Sequence, residues 1–496
     1  MAPSEPHSLA QLPDEMFSII KAAGTGLAPR LGRLSLPGRK VIETPHYLAI
    51  TSRGVVPHVT QDTFVRDTNI SGVYVGLEDC EYSHYSSEAD TADTYTYLQN
   101  ERGPAQVPPV YKLNPPDGAS PLRRFIALPE NTLLVLGARR TPPVAAPSAN
   151  PNRIDSIAVC TAVGFRTLEA IDYANAAKHL QPDIVVGLGD VPHGRSLGSK
   201  RIEKATDRTI QWMTDHVQSR REQAKEHNAK QGKVFAPLLP VSCLNQQYYI
   251  ESLTGELADE VSGLAIYDLI SVRDLPEALQ HLPRLDLTAP QTPHEVLQRI
   301  ALGMDILTLP FVAAATDAGI AMSFTFPARA APATNGSHTE VLPLGTDMWP
   351  AHHAIDVSPL AEGCDCYSCT NHHRAYLQHL LAAKEMLAWV LLQIHNHCVI
   401  DRFFHAIRHS IKDTTFDEDA EAFRKTYDSA MPESTGLGPR IRGYQFKSEG
   451  RGESKKNKAP FGRLHEVKEK LAESALPDAD ASADVLEDHG FAEKQQ

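Results

Sequence analysis

The sequence predicts an α/β protein built on a parallel sheet, a (β/α)8 barrel first and a doubly wound sheet second. Three observations predict it. From residue 154 onward, short apolar runs alternate with longer segments of helical spacing, the pattern of βα units whose sheet is buried on both faces. Before residue 120, short β-like runs are punctuated by Gly, Pro and Asp, as an N-terminal β-rich region requires. Near the C-terminus three cysteines fall within six positions, ahead of a strongly amphipathic segment.

In chain order, residues 47–52, 73–77 and 106–113 are the β-like runs of the N-terminal region, taken as 1–120. Residues 141–153 form a Pro- and Ala-rich linker. The apolar runs 154–159, 184–188, 234–241, 263–270, 284–287 and 305–311 are candidate sheet strands. Helical spacing covers 166–180, 200–226, 275–281 and 293–302. These place the barrel core at 121–350, with a Pro-rich insertion from 327 to 350. Residues 351–411 carry the cysteine cluster and a predicted helix over 374–395, apolar at Leu377, Leu380, Leu381, Met386, Leu387, Val390, Leu391 and Ile394. The segment 430–496 is charged and poor in aromatics, which predicts disorder.

Composition narrows the function classes. The 496 residues carry 48 basic and 61 acidic side chains, a net charge of −13, which argues against a simple cationic nucleic-acid coat but leaves room for a local basic face. Seven cysteines at this length do not suggest a secreted disulfide framework. No secretory leader or membrane span is visible, and the longest apolar run, 386–394, is interrupted by Gln393, well short of the ~20 residues a bilayer requires. The expectation is a reducing, soluble compartment. No G-x-G-x-x-G or Walker motif opens a helix, so no nucleotide cofactor is expected.

The strongest chemical signal is Cys364-Asp-Cys366-Tyr-Ser-Cys369. Thiolates are soft ligands, and Zn2+ prefers four tetrahedral N/S donors. Three thiols on one tight loop leave a fourth ligand to come from elsewhere, with His372, His373, His379, His395 and His397 nearby in sequence; a helix returning over the loop can bring a distant one, and spacing puts His395 ahead of His397. A closed four-ligand site has no open position for water, so such a zinc holds structure. The alternatives are a redox pair at Cys366 and Cys369 or plain buried thiols. Cys80, Cys160, Cys243 and Cys398 are expected to be ordinary core thiols. Trp212 and Trp389 are expected in the core or an interface.

These residues closely resemble the zinc subdomain of the tRNA-guanine transglycosylases. The resemblance rests on Gly363 to Cys369, Asn371 to Leu381, Glu385, Leu391-Leu-Gln-Ile-His395-Asn396 and Phe403-Phe404, and it runs more weakly back to about residue 120. The family's C-x-C-x2-C-x25-H pattern selects His395 as the fourth ligand beside Cys364, Cys366 and Cys369. It implies an irregular (β/α)8 barrel with an N-terminal antiparallel β region and a zinc-binding helical subdomain at 351–411 completing the barrel. It also implies the family's reaction, exchange of guanine for a 7-deazaguanine base, queuine in eukaryotes, at the wobble position of tRNAs with GUN anticodons.

The catalytic residues of the family did not all come with the fold. In active members an Asp nucleophile ends a G-x-D-x-x-D stretch; here Gly303-Met-Asp305-Ile-Leu-Thr308 has Thr308 at that place. A hydroxyl without a base is a far poorer nucleophile than a carboxylate. Asp305 is expected to cap a strand or bond to backbone. The base-reading Asp of a D-I-x-x-x-x-D pattern is Gly189, and Asp190, one residue late, is expected on the other face of its strand. The Gln-Gly-Gly turn has no match near 239–243, the Ser-Gly-Gly-Phe-Gln segment is absent from the first third, and Ser262-Gly263-Leu264-Ala265 resembles the pocket-lining Gly-Leu turn.

With Phe125 to Glu130, Gln181 to Asp183 and Gly319 to Phe326, the pattern is similar to that of the family's non-catalytic members. The resemblance implies a heterodimer with a catalytic queuine tRNA-ribosyltransferase subunit, contact with the tRNA anticodon stem-loop, one structural Zn2+ per subunit, and a cytoplasmic place with peripheral association with the mitochondrial outer membrane. The basic residues after the zinc loop, Arg374, Arg402, Arg408, Lys412, Arg424 and Lys425, are candidates for a phosphate-facing surface, with Arg402 and Arg408 the first choices; the bland reading is a solvated helix face. The competing hypotheses are a self-sufficient homodimeric transglycosylase and a zinc-stabilised protein-interaction scaffold without an RNA role.

Overall fold

The computed structural model describes residues 15–21, 27–80, 108–115, 118–161, 164–194, 198–226, 231–328, 341–436 and 438–439. The chain divides into Met1–Tyr444 and Gln445–Gln496, and every described residue belongs to the first unit. The disorder expected of 430–496 falls mostly outside the described residues.

Eight parallel strands close into a barrel in chain order: β1 His46–Ile50, β2 Gly72–Gly76, β3 Leu133–Gly137, β4 Ile184–Val186, β5 Lys233–Leu238, β6 Val261–Ile266, β7 Arg284–Asp286 and β8 Ile306–Thr308. β8 pairs with β1, Ile306 opposite His46 and Thr308 opposite Leu48, which shuts the cylinder. The doubly wound alternative is thereby excluded. Strand alternation sends one set of side chains inward. Leu48, Tyr74, Leu133, Val135, Ile184, Val186, Phe235, Ala265, Leu285 and Ile306 form one buried inner cluster. The complementary set packs outward against the helices; Val73, Val75, Leu134, Leu136, Val185, Leu264 and Leu307 belong to the larger outer core.

Helix starts in the outer layer are locally encoded. Thr292 caps Pro293–Ala301 by accepting the Glu295 N–H, while Glu295 accepts the Gln291 N–H, a capping-box arrangement with Pro at the first helical position. Pro310 likewise opens Pro310–Asp317 directly after β8.

An antiparallel sheet of Phe17–Lys21, Leu31–Leu34 and Ile42–Thr44 precedes the barrel. Its Leu34, Leu36 and Ile42 join the inner cluster, so the sheet plugs the end where the barrel strands begin. Two buried ion networks fasten the plug. Arg30 donates to both carboxylate oxygens of Asp305, whose Oδ2 also accepts the Arg284 N–H at 2.7 Å. Arg39 and Arg123 donate to Asp183, which also accepts the Leu134 N–H at 2.9 Å.

Several expectations are corrected. The barrel does not begin at 121: β1 and β2 come from the N-terminal region, because their apolar runs are buried on both faces. β3 was not marked in the sequence. The run 154–159 is no barrel strand; Ser156–Thr161 pairs antiparallel with Gly164–Glu169 as a hairpin inserted between β3 and β4. Within 106–113, Pro109–Lys112 is a 3-10 turn with Pro at its start. The barrel closes at Thr308, so 351–411 adds to it without completing its strands.

After β8 the chain forms the antiparallel pair Ile320–Met322 and Gly345–Asp347. The predicted helix over 374–395 is two helices, Arg374–Ala382 and Met386–Asp413. The break falls at Ala383–Glu385, where Lys384 takes a left-handed φ of 57°, so the apolar stripe continues around a corner. Phe324, Phe326 and Phe403 meet edge-to-face and seat the long helix against the chain that follows β8.

Candidate metal centre and barrel mouth

Cys364, Cys366, Cys369 and His395 come together with their donor atoms all within 4.8 Å of one another. The loop turns at Gly363, whose φ of 70° suits glycine. Cys366 then caps Tyr367–Asn371, its sulfur accepting the Cys369 N–H. The long helix brings His395 over the loop, its Nδ1 lying 3.7, 3.6 and 3.3 Å from the sulfurs of Cys364, Cys366 and Cys369. A tetrahedral Zn2+ at ordinary Zn–S and Zn–N lengths separates neighbouring S and N donors by about 3.6 Å. The donor set and its spacing fit a closed four-ligand cation.

The imidazole is oriented from behind. His395 Nε2 donates to the Met322 carbonyl at 2.8 Å, which leaves Nδ1 with its lone pair toward the sulfurs, as metal-bound histidines require. Neighbouring Asn396 accepts the Met322 N–H and donates to Ile320 O and Thr316 Oγ1. Strand Ile320–Met322 is therefore docked onto the helix through residues 395 and 396. Burial lowers the His395 pKa, and hydrogen bonds with Cys364 and Cys369 outweigh it, raising it to about 9. A cation bound there displaces that proton.

Cys398 is not the ordinary core thiol expected of it. It is half-buried, one helical turn beyond His395, and its Sγ lies 3.9 Å from Asp365 Oδ1, the residue between Cys364 and Cys366. The signal was present in the sequence, since positions i and i+3 of a helix share a face.

At the other functional end, Thr308 closes β8 fully buried, and its hydroxyl donates to the Asp286 carbonyl at 3.1 Å. Asp305 immediately precedes β8, in the network with Arg30 at the opposite end of the barrel, as a structural role demands. Gly189 lines the mouth of the barrel. Asp190 turns away, held by Arg201, Arg208 and Asn152. Ser262 to Ala265 is no turn; it lies inside β6, with Gly263 against the Phe235 ring.

The cavity at the mouth, lined by Tyr74, Arg139, Arg140, His193, Tyr267 and Leu287 among others, holds about 20 Å³. One water needs roughly 10–15 Å³ on this scale, so its enclosed part has room for a water or two. Arg139 fills much of the space, donating to the Ala158 and Val191 carbonyls and so tying the inserted hairpin to the mouth. Burial, reinforced by Arg139, lowers the His193 pKa to about 3.

Among the basic residues, Arg402 donates to Asp365 and to the Gly363 carbonyl and keeps 45% of its side chain exposed. Arg408 turns inward to the Pro45 carbonyl. Arg374 braces Asp356 and the Pro359 carbonyl, and Arg424 and Lys425 both pair with Glu421.

The model of the queuine tRNA-ribosyltransferase family matches residues 25–429. The chain belongs to this family. Curated relatives include a Schizosaccharomyces pombe protein, 35% identical over 82% of this chain and 83% of its own length, called queuine tRNA-ribosyltransferase accessory subunit 2. Proteins of the same name from Xenopus tropicalis, 28% identical over 82% of this chain and 99% of their own length, and Homo sapiens, 25% identical over 77% and 93%, are also similar. Within the queuine tRNA-ribosyltransferase family, then, this member keeps the four clustered donors and carries Thr308 and a narrow mouth at the end of its barrel.

Proposed function

We propose that this chain is the non-catalytic subunit of a queuine tRNA-ribosyltransferase, paired in a heterodimer with a catalytic subunit that exchanges guanine for queuine at the wobble position. The observation that carries the proposal is Thr308: a neutral hydroxyl, already donating to Asp286 O, at a place where glycosidic displacement needs an anion. The small mouth supports it, as does the name its relatives share.

In this role the barrel is a scaffold. Cys364, Cys366, Cys369 and His395 would hold one Zn2+, which supplies structure and ties the loop before Tyr367 to the long helix. Large apolar side chains exposed around that subdomain, Ile355, Val357, Tyr367, Met386 and Leu387, suit assembly with a partner. Arg402, whose side chain is 45% exposed, and Arg408, through its field, would meet the phosphates of the anticodon stem-loop. The cytoplasm, with association to the mitochondrial outer face, is the location the same family resemblance supports.

The test is co-purification with a catalytic queuine tRNA-ribosyltransferase subunit, then exchange of labelled guanine or queuine into tRNA by each chain alone and by the pair. Exchange by the pair and none by this chain alone is the expected result. Incorporation by this chain unaccompanied overturns the proposal.

A further inference from the structure

His405 and His409 have no part in the cysteine cluster. They lie four residues apart on the long helix Met386–Asp413, and both are exposed. Positions i and i+4 of a helix stand one above the other on one face. The two rings meet with centroids 4.6 Å apart and planes inclined at 52°. Two imidazoles bound to one cation at ordinary metal–nitrogen lengths hold their centroids about 4.5–5 Å apart, so the pair stands at the separation a chelate requires. Among the described residues no hydrogen bond occupies a nitrogen of either ring. The pair His352 and His353 differs: its centroids are 4.0 Å apart, and His353 Nε2 is already engaged with the Asp347 carbonyl. Around His405 and His409 the charge is managed. Arg408, on the same face, turns away, its Nη1 donating to the Pro45 carbonyl and its Nε lying 3.9 Å from Glu43 Oε2. Glu43 stands on Ile42–Thr44 of the plugging sheet, and exposed Asp413 follows His409 at the next step of four. From the same sheet Lys21 Nζ donates to the Ile411 and Lys412 carbonyls at 2.9 and 2.8 Å, so the histidines sit on the stretch of helix to which the plug is fastened.

We propose that His405 and His409 form a second metal site, an exposed two-nitrogen chelate for a borderline divalent transition cation such as Zn2+, Ni2+ or Cu2+. Two histidines at i and i+4 on one helix face are a recurring ligand pair, and imidazole suits these cations, whereas Mg2+ and Ca2+ ask for oxygen donors. One ring alone binds weakly. The helix holds the second ring within reach, so the second bond forms intramolecularly and adds affinity without a new encounter. Water fills the remaining positions, so this site exchanges with solution where the closed four-donor centre does not. The bound cation bridges one helical turn in the folded chain only and therefore stabilises the end of the helix on which the plug is held.

The test uses the untagged full chain, loaded with zinc and dialysed free of excess, with Ni2+ as the probe. Calorimetric titration measures Ni2+ binding, and zinc content is measured before and after. Wild type is expected to take up one Ni2+ with its zinc content unchanged. His405→Ala and His409→Ala should each weaken that binding roughly tenfold or more, because each leaves a single donor. Ni2+ should raise the urea midpoint of wild type and leave that of either variant where it was. Ni2+ uptake matched by loss of zinc, or equal affinity in wild type and the double variant, overturns the proposal. His405→Gln and His409→Gln, which keep a polar side chain at these exposed positions, decide the matter should an alanine variant misfold.

Discussion

Replacing Asn396 with alanine tests how the fold aims the metal ligand. The side chain is fully buried and makes three hydrogen bonds: from Met322 N–H at 2.9 Å, to Thr316 Oγ1 at 2.9 Å and to Ile320 O at 3.0 Å. Thr316 keeps its bond to Val312 O, so two backbone groups, Met322 N–H and Ile320 C=O, are left without a partner. At about 1–3 kcal/mol for each buried orphan, the variant loses roughly 2–6 kcal/mol. Met322 is also the residue whose carbonyl orients His395, and loosening such an outer partner typically weakens a metal about 10- to 100-fold. Urea unfolding with zinc supplied in excess measures the first quantity, and competition with a chromogenic chelator the second. A loss below about 1 kcal/mol with unchanged zinc affinity would show that strand Ile320–Met322 does not position the ligand.

Other perturbations probe other parts. Arg30→Ala leaves Asp305 charged and buried, and about 3–5 kcal/mol of stability should go with it; an urea midpoint unmoved from wild type would remove the plug from the account. Thr308→Asp is expected to produce no exchange of labelled guanine, because Gly189 still offers no side chain at the mouth to read a base, and measurable exchange would refute that reasoning. Asp401 is pushed up to about 7, chiefly by burial, while it accepts the Tyr47 hydroxyl at 2.8 Å. Its folded pKa lies above the unfolded value of about 3.9, so its stabilising proton is held fully below that value and lost as pH rises through 7. Asp401→Asn should therefore outlast wild type in urea by up to about 4 kcal/mol at pH 8 and show little difference near pH 4; an equal gap at both pH values would contradict the shift. Arg402→Glu should weaken tRNA binding by the heterodimer and lower its salt slope by about 1 to 2; identical affinity and slope would end its candidacy as a phosphate contact.

The barrel was legible where a strand is buried on both faces. Ile184 to Leu188, Val234 to Val241 and Asp305 to Phe311 stand out as short apolar runs; β4 and β8 lie within them, and β5 starts one residue before its run. The same signal misled at Ile154 to Val159. A hairpin packed over the barrel mouth also buries both faces of its first strand, all six residues of Ser156–Thr161, and periodicity cannot tell a parallel neighbour from an antiparallel one. The cysteine loop was legible because its ligands are dictated by local spacing. The corner at Lys384 was not, since Ala, Ala, Lys and Glu at 382–385 contain no Gly or Pro to announce a left-handed residue. Cys398 reads as an ordinary core thiol because the motif accounts for four donors and says nothing of a further group on the same helix face.

The two ends of the barrel have separable duties, and that explains how chemistry can be absent from a fold that remains intact. At the entry end, Asp183 and Asp305 each satisfy buried guanidinium groups and a strand N–H. Removing either leaves charges stranded in the interior, at a cost that is a large fraction of a domain's stability. At the exit end, Thr308 makes one bond to a neighbouring carbonyl, and Gly189 contributes no side chain at all. Beside Gly189 the mouth holds Arg139, which donates to the Ala158 and Val191 carbonyls. A neutral residue at position 308 leaves no buried charge to satisfy, while the entry-end aspartates have no such freedom.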